Sequence, residues 1–173
     1  MSLSSHNSRG FLSFQAGSSL IEVLVSLLVL SFGMLGLAGV QAVSLRGNQA
    51  AYYRTLATTQ SADIIERMRA NIVGVDDGDY DDVVGAATAN CFTAVGCSSA
   101  QMAAQDVLDW SARVAATLPL GSAVLCLDST PTDGTAGATA CDGAGDIYAI
   151  KLWWDDDRDG TADQVFRTTF QPI

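Results

Sequence analysis

One uncharged stretch of the sequence constrains the fold of the whole chain. Residues 23–45, VLVSLLVLSFGMLGLAGVQAVSL, contain no charged side chain over 23 positions. A helix that crosses a bilayer needs about 20 predominantly apolar residues, whereas the apolar core of a secretory signal has about 7–15. The stretch is therefore long enough for a membrane span and too long for an ordinary signal. No second stretch of this kind follows, so we expect at most one span.

Charge and histidine content narrow the classes of function. The 173-residue chain has 9 Lys+Arg against 19 Asp+Glu, a formal net charge of −10. Such a chain repels nucleic acid, so we expect no nucleic-acid partner. The single histidine is His6, and removal of the N-terminal segment that contains it would leave a chain without histidine. A mature chain without histidine has no Ser-His-Asp triad, Cys-His pair or imidazole metal site, which argues against most hydrolytic enzymes. An anchored enzyme with carboxylate catalysis is disfavoured because the acidic residues lie in Gly-rich turns, so we predict that the chain is not an enzyme.

The four cysteines all follow the apolar stretch, at Cys91, Cys97, Cys126 and Cys141. An even number of cysteines behind a membrane anchor predicts two disulfides in an oxidising compartment. Zinc is the alternative, and it is disfavoured because structural zinc sites usually use closely spaced ligand pairs. Of the three connectivities, we favour Cys91–Cys97 and Cys126–Cys141, because each closes a local loop between turn-rich segments.

The sequence predicts a long helix from Ser19 to about Ala70, since only glycine interrupts the helical pattern. Its first half is apolar all round. Its second half is amphipathic, with an apolar face formed by four residues and with Asp63 and Arg67 spaced to pair on the polar side. The predicted apolar face consists of Leu56, Ile64, Ile65 and Met68.

Residues 71–97, rich in Gly, Asp and Ala, predict a long loop region. A short helix then begins after Ser98 or Ser99, runs through about Thr117 and ends before Pro119. We expect four of its apolar residues to face the core and Trp110 to lie at the core edge. The four are Met102, Leu108, Val114 and Leu118.

Three strands are predicted in the last third, at residues 123–127, 146–154 and 164–170. In the second strand, alternate residues fall on one face: Tyr148, Ile150, Leu152 and Trp154. Successive strands favour an antiparallel sheet packed against the end of the long helix, so the predicted fold class is α+β.

The turn before the third strand carries a pattern of carboxylates. Four of them occupy positions 1, 3, 5 and 9 of an EF-hand-like loop, with Gly160 at position 6. Position 12 is Phe166 rather than glutamate, and the flanking segments resemble strands. Two interpretations remain: a weak calcium site, and a solvated acidic turn without a cofactor. The four candidate ligands are Asp155, Asp157, Asp159 and Asp163.

Residues 17–25, GSSLIEVLV, resemble the processing site of type IV pilins, in which a Gly, four residues and a Glu precede an apolar helix. The continuation SLLVLSFGMLGLAGVQ is similar to minor pilins of the PilV type. Two later segments share this similarity, CSSAQMAAQDVLDWSARVAATLPLG and YAIKLWWDDDRDG. The resemblance covers most of the chain from Gly17 onward.

The resemblance implies that a prepilin peptidase cuts between Gly17 and Ser18 and methylates the new amine. Glu22 would then be the fifth mature residue and would pair with the N-terminal amine of a neighbouring subunit. Residues 1–17 would be the leader, 18–45 the transmembrane and assembly half of the helix, and 46–173 a periplasmic globular domain. The sequence departs from most pilins in having Ser18 instead of Phe and no basic residue just before the cut.

The family also implies a lollipop-shaped pilin fold and a function. The chain is expected to be a minor pilin in initiation and tip assembly of a type IV pilus, moving from the bacterial inner membrane to the pilus. The implied partners are the prepilin peptidase, other minor pilins, the major pilin, a tip adhesin and, before assembly, membrane lipid. The alternatives are a pseudopilin of a type II secretion system and a single-pass anchored periplasmic binding protein.

Overall fold

The structure is a computed structural model that describes residues 19–83 and 85–172. The fold is α+β, as predicted, with one long N-terminal apolar helix and a small three-stranded antiparallel sheet. Contacts divide the chain into two units between Val43 and Ser44. The elements are α1 (Leu20–Ala70), α2 (Ile72–Asp76), a 3₁₀ turn (Ala89–Phe92), α3 (Ser99–Thr117), β1 (Ser122–Leu127), β2 (Tyr148–Trp154) and β3 (Gln164–Phe170).

The first unit contributes the apolar half of α1. Every residue that the structure describes up to Val43 is exposed, and no part of the most apolar stretch of the helix is buried within the protein. Among the described helices, α1 is the one that is long and apolar enough to cross a membrane. This half therefore has the length and composition of a single membrane span.

In the second unit, α1 presents one buried face to a hydrophobic core. The buried residues recur every three or four positions, which is the spacing of a single helix face. The predicted face is confirmed: Ile64 and Met68 are fully buried, and Leu56 and Ile65 pack against the core from its margin. The buried residues of α1 are Tyr53, Ala57, Ser61, Ile64 and Met68.

Helix α3 begins with a capping box between Ser98 and Gln101 and ends at Thr117, as the sequence predicts. Its buried face agrees with the prediction in part, because Val114 is fully buried and Leu118, just after the helix, is 2% exposed. Trp110 is fully buried rather than at the core edge, and its indole Nε1 donates to the carbonyl of Gln60 at 2.9 Å. The expected core residue Met102 is 39% exposed. The buried stripe is Ala103, Val107, Trp110 and Val114, so the first part of α3 packs through residues other than the predicted Met102 and Leu108.

The predicted loop between α1 and α3 contains α2 and the 3₁₀ turn, and a buried tyrosine anchors it. The hydroxyl of Tyr80 donates to Asp106 at 2.8 Å and accepts from Asn71 at 3.2 Å. Burial raises the pKa of Tyr80, so the neutral phenol is the stable form. The segment is therefore fixed to α3 by polar contacts that its composition does not reveal.

The sheet is an antiparallel meander in the order β1-β2-β3. Strand β3 has the predicted bounds, β1 begins one residue earlier and β2 two residues later than predicted. The predicted alternation in β2 is confirmed, because Tyr148, Ile150, Leu152 and Trp154 all belong to the core. The opposite face of β2 is buried as well, including Lys151 and Trp153.

Candidate functional site

The start of α1 contains the residues that the pilin resemblance assigns to processing and assembly. Gly17 and Ser18 lie outside the described residues. Glu22 lies in the first turn of α1 and is exposed. A carboxylate in this turn lies near the unpaired N–H groups and the positive end of the helix dipole, which stabilises an anion there. Its pairing with the amine of another subunit stays a prediction.

Both predicted disulfides are present in the second unit. Cys91 is bonded to Cys97, with Cα atoms 4.8 Å apart, and Cys126 is bonded to Cys141, with Cα atoms 6.1 Å apart. The first joins the 3₁₀ turn to the segment just before α3, and the second ties β1 to the connection between β1 and β2. Since every cysteine is in a disulfide, the thiolates of a zinc site are not available.

The acidic turn brings together three of the four predicted calcium ligands. One carboxylate oxygen from each of Asp155, Asp157 and Asp159 lies within 4.8 Å of the others, and this group does not include Asp163. Asp155 is 3% exposed and accepts hydrogen bonds from the backbone N–H groups of Arg158 at 2.6 Å and Gly160 at 2.9 Å. The turn is thus shaped by its own carboxylates.

The electrostatics of this turn differ from one carboxylate to the next. Burial raises the pKa of Asp155, but the N–H groups of Gly160 and Arg158 outweigh it, so the net pKa is lowered. The pKa of Asp157 is raised: the N–H of Asp159 lowers it, but burial and the neighbouring carboxylates together outweigh that effect. Carboxylates that repel one another are a feature of both a calcium loop and a plain acidic turn, so this geometry fits both interpretations.

The same turn also contacts the long helix within the second unit. A hydrogen bond with the Arg158 side chain lowers the pKa of the Tyr53 phenol, and Gln49 donates to the same hydroxyl at 3.0 Å. Arg158 adopts a positive φ of 63°, a conformation that non-glycine residues seldom take. The tip of the β2–β3 hairpin therefore lies near α1 at Tyr53.

A buried cluster on the outer face of the sheet was not anticipated from the sequence. Lys151 donates from Nζ to Asp128 at 2.5 Å, to Asp133 at 3.0 Å and to the carbonyl of Thr139 at 3.0 Å. The side chains of Lys151 and Asp128 are both fully buried. Strand alternation places Lys151 opposite the core and suggests exposure, but the β1–β2 connection covers this face. The one feature of the sequence that singles out this position is that Lys151 is the only lysine in the chain.

A second polar network links α1 to α3. Arg67 contacts Asp63 at 3.1 Å, as predicted, and Asp106 at 2.9 Å, while Arg113 also pairs with Asp63. Burial lowers the pKa of Arg67, but the bonds to Asp106 and Asp63 outweigh it and raise the net value. These ion pairs join α1 to α3, so we interpret them as structural.

One groove on the outer face is relevant to the binding-protein alternative. It encloses about 360 Å³ and is lined by Trp153, Val165 and Arg167 of the sheet and by Gly134 and Asp163 of the flanking loops, among others. The Nε1 atom of Trp153 and the Nε atom of Arg167 are buried without a hydrogen-bond partner. This groove has the volume for a small ligand, which is what the binding-protein alternative requires.

Comparison with protein-family models, with curated proteins and with solved structures gives no match for this chain.

Proposed function

We propose that this chain is a minor pilin of a type IV pilus that acts in pilus initiation and tip-complex assembly. The main support for the proposal is that the motif GSSLIE is followed by one long continuous helix, α1. The sequence GSSLIE of residues 17–22 leads directly into a helix that runs from Leu20 to Ala70 without a break. A simple anchor needs neither the glycine-glutamate pattern nor a helix that continues from the span into the core of the domain.

The exposed apolar half of α1 supports the proposal that the subunit moves from the membrane into a bundle of helices. A helix of this length that is apolar on all sides is unstable in water and needs lipid or other helices around it. In the proposed cycle, lipid surrounds it in the inner membrane and the helices of neighbouring subunits surround it in the pilus. Glu22 is the one carboxylate at the start of this stretch. Its pairing with a neighbour's N-terminal amine would remove the cost of burying both charges alone.

In this proposal the chain performs no chemistry of its own. The prepilin peptidase cuts the bond between Gly17 and Ser18 and methylates the new amine, and the globular domain supplies contacts to other subunits. The two disulfides suit a domain that faces the periplasm and then the cell exterior, where thiols are oxidised. A pseudopilin of a type II secretion system would use the same parts, and the PilV-like segments favour the pilus.

A test in the native bacterium separates these proposals. Strains without the gene are complemented with the wild type, Glu22→Val or the matched variant Glu22→Asp, and surface pili and secreted enzymes are measured. We expect loss of pili without the gene, little rescue by Glu22→Val, better rescue by Glu22→Asp, and normal secretion throughout. Loss of secretion with normal pili would favour the secretion pseudopilin, and full rescue by Glu22→Val would contradict the assigned role of the carboxylate.

A further inference from the structure

The single lysine of the chain occupies an unusual position. All eight other basic residues are arginines, and Lys151 is fully buried in β2, the central strand of the sheet. Arginine is the usual choice for a buried ion pair, because its planar group donates several hydrogen bonds and stays charged. Lysine differs in offering a primary amine that becomes a nucleophile when it is desolvated. The choice of lysine here therefore suggests a role for its amine.

An electrophile lies within reach of this amine. The Oδ2 atom of Asp128 is 2.5 Å from Nζ of Lys151, and its Oδ1 atom accepts from the backbone N–H of Thr130 at 2.9 Å. A carboxylate oxygen of Asp128 also lies within 4.8 Å of both sulfur atoms of the Cys126–Cys141 disulfide. The carboxyl group is thus held in one orientation in a site with little access to water, where an amine and an acid are close enough to react.

A second carboxylate is placed to move protons. Asp133 Oδ1 is 3.0 Å from the same Nζ, and the Asp133 side chain is 48% exposed. The hydrogen bond from Lys151 lowers the pKa of Asp133, so Asp133 remains a carboxylate that can accept a proton. Its partial exposure lets it exchange that proton with solvent. The cluster therefore contains an amine and a carboxyl group that become nucleophile and electrophile once a proton passes between them, and a carboxylate beside them that can act as a base.

We propose that Nζ of Lys151 and Cγ of Asp128 form an intramolecular amide bond. A proton first passes from the Lys151 ammonium to the Asp128 carboxylate, giving an amine and a carboxylic acid. The amine attacks Cγ, and Asp133 takes the second proton from Nζ and delivers it to the departing hydroxyl. A C–N bond forms, a C–O bond breaks and one water leaves, while Asp133 returns to its starting state. The step needs no oxidant and no cofactor.

The product has a physical advantage over the ion pair. Burying two charges costs several kcal/mol per ion unless their attraction repays it, whereas a neutral amide carries no such cost. The bond would join residues 23 positions apart and would cross-link the end of β1 to the middle of β2. Together with the Cys126–Cys141 disulfide, it would fix the β1–β2 connection at two points, one of which reductants cannot open.

The test exploits the fact that the chain has a single lysine. The full-length protein is purified in detergent, reduced, denatured and treated with a protease that cleaves only after lysine. We expect the wild type to resist cleavage, because an acylated lysine is not recognised, and its tryptic peptide 114–158 to be lighter by one water, about 18 Da. Complete cleavage after Lys151 with full peptide mass would overturn the proposal and leave an ion pair only.

Three variants identify the reacting groups. Asp128→Ala removes the electrophile, so we expect complete cleavage and full peptide mass. Asp133→Asn keeps the pair and removes the base, so we expect most of the chain to be cleaved. Asp146→Asn changes an acid that accepts a hydrogen bond from Gln171, outside the cluster, and we expect this variant to resist cleavage like the wild type. Resistance of Asp128→Ala would overturn the proposed bond, and full resistance of Asp133→Asn would overturn the role of Asp133. The wild-type result stands even where a variant misfolds.

Discussion

The two halves of α1 differ in composition and in burial although they belong to one continuous helix. Up to Val43 every described side chain is exposed and nearly all are apolar. From Ser44 onward, five positions are buried in one stripe and polar side chains face water. In proteins a helix owes most of its stability to the packing of its apolar surface rather than to its intrinsic propensity. Each half therefore depends on a partner of a different kind: lipid or other helices for the first, and the globular domain for the second.

Glycine content sharpens the same contrast. Gly33, Gly36 and Gly39 lie in the first half, and nothing within 4 Å would meet a Cβ atom at any of them. Packing within this chain therefore does not demand glycine there. Small residues let membrane helices approach closely, and glycine also weakens a helix by about 1 kcal/mol relative to alanine in water. Close packing against other helices and a locally weakened helix are the two roles that fit these three positions.

Cutting the chain between the halves has the largest expected effect. A chain that begins at Arg46 lacks the apolar stretch but keeps the buried stripe of α1. We expect it to be soluble and monomeric, with mixed helix and sheet by circular dichroism, whereas the full chain requires detergent. Gel filtration gives the answer. Aggregation of the shortened chain with both disulfides formed would mean that its core needs residues before Arg46.

Removing the central aromatic of the second unit tests how the domain supports its half of α1. Trp110→Ala should lower the free energy of unfolding by about 3–5 kcal/mol, since it leaves a cavity and deprives the Gln60 carbonyl of a donor. Urea unfolding followed by circular dichroism measures the loss. Met102→Ala in the same helix is the matched control and should cost below about 1 kcal/mol, because Met102 is largely outside the core. Equal losses would contradict the buried face of α3.

The two disulfides should contribute different amounts to the free energy of unfolding. Replacing Cys126 and Cys141 by serine opens a loop with a sequence separation of 15 and should cost about 3 kcal/mol. Replacing Cys91 and Cys97 opens a loop with a separation of 6 and should cost less, about 2 kcal/mol. Denaturant midpoints of the two double variants give the comparison. A larger loss at the smaller loop would show that local packing outweighs loop entropy.

The smallest expected effect is that of calcium on the hairpin turn. If the turn is a calcium site, the dissociation constant should be on the order of 10⁻⁴–10⁻³ M, and several millimolar calcium should stabilise the domain by about 1–2 kcal/mol. Asp157→Ala and Asp159→Ala should abolish the calorimetric signal. Asp163→Ala is the control and should leave it intact, because Asp163 lies outside the group of three. If calcium produces neither a calorimetric signal nor a change in melting temperature, the turn is a solvated acidic turn and not a calcium site.

Periodicity predicted most of the fold. The strands follow from alternating residues in β2 and from turn signals around them, and the end of α3 follows from Pro119. These signals are local, because each depends on neighbours within one element. The predicted core face of α3 was right at Val114 and wrong at Met102, because the prediction favoured large side chains, whereas the helix packs there through Ala103 and Trp110. A helix face that includes small residues cannot be chosen from hydrophobicity alone.

The buried lysine cluster needed information that no local pattern contains. Lys151 and Asp128 are 23 positions apart, and the covering of the outer face depends on the path of the β1–β2 connection. Alternation correctly places Lys151 away from the core but does not reveal what covers that side. In contrast, the local pairing of the cysteines was predictable from turn-rich segments. The acidic turn was predictable as a pattern, while the separation of Asp163 from the other carboxylates was not.

The mature N-terminus tests the central claim most directly. The chain is purified from the membrane and pilus fractions of the native bacterium, and its N-terminal peptide is measured by mass spectrometry, beside Gly17→Val and Glu22→Val. The account predicts a methylated start at Ser18 for the wild type and for Glu22→Val, and a precursor retaining the 17-residue leader for Gly17→Val. A wild-type protein that keeps Met1, or a start at Ser18 without a methyl group, would contradict it.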